Sequence, residues 1–198
     1  MASVSLAKNQ TVSLTKQSGS TLSKLHFGLG WDAAKKGGFL GKLFGGGDGG
    51  EIDLDASVVT FDARGNRLDT VWFRQKKSNC GAIVHSGDNL TGEGDGDDEI
   101  INVDLTKLPS NVEYLAFTVN SLRGQTFNEV DNAFCRVLDQ NSKELVKFEL
   151  SDKGSHTGIV ISSLHRNGGQ WDFTAHGQAS KGRTIDDMIS DIQRIVVR

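Results

Sequence analysis

The residues best equipped for chemistry lie between His85 and Glu99, in the stretch HSGDNLTGEGDGDDE. Six carboxylates (Asp88, Glu93, Asp95, Asp97, Asp98 and Glu99) fall within twelve positions, with Gly92, Gly94 and Gly96 between them. From Ser78 to Thr106 there are seven acids and no lysine or arginine. The rest of the chain, with 22 bases against 18 acids, is slightly basic, so this one segment makes the net charge −3. Crowded carboxylates each raise the cost of ionising their neighbours. A folded chain therefore either splays them into water or neutralises them with a cation. The donors on offer are all hard oxygens: carboxylates, the Asn89 amide, the Thr91 hydroxyl and main-chain carbonyls. That set suits Ca²⁺ first and Mg²⁺ second. Zinc is poorly served, because His85 is the one nitrogen ligand nearby and Cys80 adds little.

A solvated acidic loop is the plain alternative, since most charge runs are solvated. The stretch is also not an EF-hand. Leu90 and Gly92 stand where carboxylates are needed and Glu93 stands where the sharp-turn glycine belongs. The residues that follow, Ile100–Leu105, read as a strand and not as an exit helix.

The elements that must position these groups are mostly strands. Short alternating runs separated by turn signals point to a mainly β fold, a two-sheet antiparallel β-sandwich with one C-terminal helix. Strands are expected at Thr11–Thr15, Thr21–Leu29, Glu51–Asp62, Leu68–Phe73, Ala82–His85, Glu99–Leu105, Val112–Asn120, Ala133–Leu138, Glu144–Leu150, Gly158–His165 and Gln170–His176. Turns fall at Ala63–Asn66, Asp139–Ser142 and Arg166–Gly169. In Glu51–Asp62, Asp53 and Asp55 share the face opposite Ile52, Leu54, Ala56 and Val58, so both can point at one ion. Thr184–Val196 has helical spacing, with Thr184 as cap and acids in the first turn, and should pack on an edge or end of the sandwich.

The whole chain, 1–198, reads as a single domain with a glycine-rich insertion at 33–50, eight glycines in the eighteen residues. The insertion carries Lys35, Lys36 and Lys42 beside two apolar pairs, Phe39-Leu40 and Leu43-Phe44, which suit either tucking onto the sandwich or docking to a partner. Gly41-Lys42 is followed by leucine, so it is no phosphate loop. The acidic balance argues against general nucleic-acid affinity. The opening residues lack an apolar run that could be a signal peptide or membrane span. Cys80 and Cys135 suit reduced thiols, and Cys135 sits in an apolar run that favours burial. The five histidines show no metal-binding spacing, and no GxSxG motif or nucleophile–base pattern stands out. Asn128-Glu129 forms a second polar loop that could approach the acidic one.

The stretch GDNLTGEGDGDDE, with GLGWD at Gly28–Asp32 and DLDAS at Asp53–Ser57, closely resembles the TerD family of tellurium-resistance and stress proteins. The opening VSLAKNQTVSLTK is similar too, except that Asn9 stands where a glycine is more usual. The resemblance implies a calcium-binding β-sandwich, bacterial and cytoplasmic or peripheral at the inner membrane, linked to tellurite and other stress resistance. It also supports combining DLDAS with the acidic loop. The expected ligands are Asp88, Asn89, Asp95, Asp97, Asp98 and Glu99, followed by Asp53, Asp55 and Asp32, enough for two Ca²⁺ ions. Expected partners are other tellurium-resistance proteins or a membrane-associated complex, reached through Phe39, Leu40, Leu43 and Phe44. Two classes of function stand: a non-enzymatic calcium-binding stress protein, or a metal-dependent hydrolase or phosphoryl-transfer enzyme using a carboxylate-bound ion.

Overall fold

The computed structural model describes residues 3–33, 53–87 and 96–197. The ligand candidates Asp88, Asn89 and Asp95 and the apolar residues Phe39, Leu40, Leu43 and Phe44 lie outside the described residues. In chain order the elements are β1 (Val4–Ser5), β2 (Thr11–Ser13), α1 (Leu14–Ser18), β3 (Lys24–Ala33), β4 (Asp55–Phe61), β5 (Arg67–Val71), β6 (Ile83–His85) and β7 (Glu99–Asp104). They continue with β8 (Tyr114–Asn120), a 3₁₀ turn at Phe127–Glu129, β9 (Val130–Asp139), β10 (Glu144–Glu149), β11 (Gly158–Asn167), β12 (Gln170–Ser180) and α2 (Ile185–Val196).

Among the described residues these strands form two six-stranded sheets. The first runs β1-β10-β9-β3-β7-β6 and the second β2-β12-β11-β8-β4-β5. Pairing is antiparallel except that β1 lies parallel to β10. The sheets face each other through the inward residues of the alternating strands. Leu25, Phe27, Leu29 and Trp31 of β3 meet Leu115, Phe117 and Val119 of β8 in one core. Phe27 stacks on Phe117 with ring centres 4.1 Å apart, which ties the middle strands of the two sheets together.

Alternation alone misjudges the second sheet. Every residue of β4 and β8 is buried, and so are the first seven of β11. The reason is α2, which packs across the outer face of β8, β11 and β12 and not on an edge or end. Ile185, Met188, Ile192 and Val196 cover Val59, Phe61, Tyr114, Ala116 and Val160 in a second apolar layer. Asp53, Asp55 and Ser57 are buried as well. Thr184 caps α2 by accepting from the Asp187 amide, while Asp187 accepts from the Thr184 amide.

Local chemistry fixes the turns. Gly168 and Gly169, both at positive φ, make the two-residue turn between β11 and β12. Asp62 and Asp139 each accept two main-chain amides two and four residues on. Asn9 has φ +66°, a left-handed conformation in which asparagine is the tolerated substitute for glycine. The expected strand at Thr11–Thr15 stops at Ser13, where the chain turns into α1 and ends on Gly19 at φ +71°.

Because α2 buries one face of the second sheet, Ile192→Ala should lower stability by about 2–5 kcal/mol. Urea denaturation checks this as a fall in midpoint with the slope unchanged.

Candidate functional site

The antiparallel registers bring the sequence-predicted acids to one end of the sandwich. β3 ends beside the start of β7, with Leu29 opposite Glu99. β4 begins beside the end of β8, with Asp55 opposite Asn120. The sheets are joined at this end by Glu99, which is fully buried and accepts the Ala56 amide of β4 at 2.7 Å. His85 packs against the same carboxylate, with Nε2 3.4 Å from Glu99 Oε2 and 3.2 Å from the Ala56 carbonyl. Its Nδ1 accepts the Gly87 amide at 3.1 Å, which leaves the ring proton on Nε2 to donate. Both described stems of the acidic stretch are thus anchored to β4.

The glycines of GLGWD make the floor. β3 points its apolar residues inward and Gly28, Gly30 and Asp32 outward, and the Gly96–Asp98 segment crosses that outer face. The Asp98 amide donates to the Leu29 carbonyl at 2.7 Å, and the Trp31 amide donates back to Asp98 Oδ2 at 2.8 Å. A Cβ at Gly28 would stand 2.3 Å from the Asp97 carboxylate, and one at Gly30 2.6 Å from the Phe134 ring and 2.7 Å from the Gly96 carbonyl oxygen. Glycine in a strand interior marks such a close approach.

The acids have distinct surroundings. Arg136, reaching across from β9, grips Asp97 with Nε at 2.8 Å and Nη2 at 3.1 Å. That bidentate hydrogen bond holds the guanidinium pKa above its usual value. Asp98 is the opposite case. Burial pushes its carboxyl above the usual range, the Trp31 amide partly offsets this, and the charges of Asp32 and Asp97 add to the rise. Asp32 is exposed and accepts from Asn132 at 2.7 Å, a residue held at φ +51°. Asp53 pairs with Arg123 at 2.9 Å, and its amide donates to Gln125. Asp55 is 3% exposed.

Sequence reasoning missed Arg136, Arg123 and Asn120. The one available signal for Arg136 was the pair of outward glycines on β3, which announces a crossing segment that needs a partner. The second polar loop turns inward on itself, because Glu129 accepts the Thr126 amide and caps the 3₁₀ turn. Cys135 is buried in the core and its thiol pKa is pushed far up by desolvation, while Cys80 is exposed. Beside Asp32 and Asp98 the outer face carries a hollow of about 640 Å³, bordered also by Phe134, Lys147 and Lys153.

Among the described residues no three acidic, histidine or cysteine side chains stand close enough together to hold an ion. Within them the donor chemistry still fits a hard cation. The polar groups at this end are mostly oxygens, and the Asn120 side-chain oxygen is buried with no hydrogen-bond partner among the described residues. Asp32, Asp98 and Glu99 could contribute from the first sheet, and Asp53 and Asp55 from the second.

A two-sheet sandwich with acids drawn to one end from both sheets is the class that the fold and site define. A family model described as TerD domain matches residues 1–191, and the chain belongs to the TerD domain family. It is 69% identical over 195 residues to the tellurium resistance protein TerZ of Serratia marcescens, covering 98% of this chain and 100% of that protein. It is 42% identical to the stress response protein SCP2 of Bacillus subtilis (strain 168), over 94% and 98% of the two chains. Among solved structures it matches a homologue of telluride resistance protein (TerD) from Streptomyces coelicolor A3(2), with a TM-score of 0.69 at 20% identity over 87% and 98% of the chains, a likeness of fold. Among the described residues no helix is long and apolar enough to cross a membrane.

The floor makes a ranking testable. At Gly28 an added methyl meets one side chain, whose Arg136 partner is itself a long, adjustable side chain, whereas at Gly30 it meets the Phe134 ring and the Gly96 backbone together. Gly30→Ala should therefore cost about 1–3 kcal/mol and Gly28→Ala distinctly less, measured by urea denaturation in chelator.

Proposed function

We propose that this chain is a calcium-binding, non-enzymatic tellurium-resistance and stress-response protein, with the ion held at the acidic end of the sandwich. The observation that supports this most is the placement of Asp98. Its carboxyl is partly buried beside the charges of Asp32 and Asp97, and it belongs to the acidic stretch. Arg136 relieves the charge of Asp97, so Asp97 serves to pin the stem, while Asp98 and Asp32 turn toward the space where a cation relieves both. The ligand set proposed for one or two Ca²⁺ ions combines Asp32, Asp98, Asp53 and Asp55 with Asp88, Asn89 and Asp95. Glu99 is held by the Ala56 amide and His85, a position that suits orienting the site as well as ligating.

A bound Ca²⁺ supplies charge neutralisation and a stiff cross-link between the two sheets. The relatives are named for resistance and stress response and not for a reaction, which favours binding over catalysis. The proposed setting is the bacterial cytoplasm, free or peripheral at the inner membrane. The partners would be other tellurium-resistance proteins or a membrane-associated complex, with Phe39, Leu40, Leu43 and Phe44 as the docking residues.

Calorimetry on the chelator-stripped chain should show Ca²⁺ binding more tightly than Mg²⁺, because oxygen-rich irregular segments suit the larger ion. Saturation at a hundredfold excess over Kd should stabilise the fold by about 2.7 kcal/mol, read as a rise in Tm. Equal or tighter Mg²⁺ binding, or a Tm indifferent to Ca²⁺, would leave only a solvated acidic loop.

A further inference from the structure

Asn120 ends β8 and is 4% exposed. In the antiparallel register it stands directly opposite Asp55 on one side and Gly158 on the other. Directly opposed residues share a face, with Cβ atoms about 4.5–5.5 Å apart, so the Asn120 amide and the Asp55 carboxylate are neighbours. Gly158 carries no side chain, and the space beside it is taken by Met188 and the Gly182 carbonyl. The two ends of the amide are treated differently. Its Nδ2 donates to the Arg183 carbonyl at 2.9 Å. Its Oδ1 is buried with no hydrogen-bond partner among the described residues.

A buried acceptor left without a donor is costly, and native structures keep few of them. Here the donor side of the amide is fixed by a main-chain carbonyl, and the acceptor is buried with no donor among the described residues, on a residue whose register neighbour is a buried carboxylate. Two oxygens set side by side repel unless something positive lies between them. Calcium takes carboxylate and carboxamide oxygens in the same shell.

We infer that Asn120 supplies its side-chain oxygen to the cation held by Asp55, so that the second sheet contributes a ligand from β8 as well as from β4. This rests on the calcium reading above and extends it to a residue outside the acidic motifs. The Arg183 contact then has a role of its own: it fixes the rotation of the amide and keeps the oxygen toward the ion, as partners of ligating groups do.

The test is calorimetric titration of the full chain with Ca²⁺, comparing wild type, Asn120→Ala and Asn120→Asp, with Asn120→Leu in place of the alanine variant if that chain does not fold. Both variants lose the donor to Arg183, but only the aspartate restores an oxygen beside Asp55. Ligation predicts Ca²⁺ affinity about tenfold or more weaker in Asn120→Ala and largely regained in Asn120→Asp. Equal weakening of both would assign Asn120 a purely structural role through Arg183 and overturn the inference. Unchanged affinity in Asn120→Ala would overturn it too, while calcium binding by the wild type stood. Absence of binding by the wild type would overturn the calcium reading and this inference together.

Discussion

Repulsion between carboxylates that the fold will not let apart is the constraint on which this end of the molecule turns. Asp32 lies near the end of β3, Asp97 and Asp98 precede β7, Asp55 opens β4, and the two sheets meet there through Glu99 and the Ala56 amide. Burial raises the Asp98 carboxyl above its usual range, and the charges of Asp32 and Asp97 add to the rise. The chain meets part of the cost itself. Arg136 answers Asp97 and Arg123 answers Asp53, both through short ion pairs. On the calcium reading, a divalent cation would meet the rest and link the two sheets.

The rest of the architecture serves that arrangement. Outward glycines on β3 let Gly96–Asp98 lie against the sheet at a distance no side chain would permit. The buried His85–Glu99 contact ties the residues flanking the acidic stretch to β4. α2 covers Val59 and Phe61 on the outer face of the second sheet, and the acids Asp53 and Asp55 at the start of β4 are buried, a low-dielectric setting where charge interactions are strong. The described acids sit at strand ends and are positioned by the core, and such preorganisation would lower the entropic cost of binding an ion.

Much of this was legible in the chain. Alternation located β3, β4, β7 and the β11–β12 hairpin, and the 3.6-residue spacing located α2, because half-buried strands and amphipathic helices carry their environment in their periodicity. The burial of Asp53, Asp55 and Ser57 was not legible, since alternation assigns residues to a face but does not say what the fold brings against it. The acidic stretch announced itself by composition. Arg136 did not: a lone arginine at an outward strand position looks like any solvated one until β3 is seen to carry glycines beside it. Asn120 was hidden for a similar reason, because its role follows from its register partner Asp55, 65 positions away. Long-range register is the information that a local reading lacks.

The most direct measurement is terbium luminescence excited through tryptophan, because sensitisation requires the ion to lie close to the ring. Trp31 begins at the acidic end, with its amide on Asp98, whereas Trp171 adjoins the β11–β12 turn. An ion at the acidic end predicts sensitised Tb³⁺ emission that Ca²⁺ displaces, lost largely in Trp31→Phe and retained in Trp171→Phe. Emission that survives Trp31→Phe undiminished, or that Ca²⁺ does not displace, would contradict a cation site at this end of the sandwich.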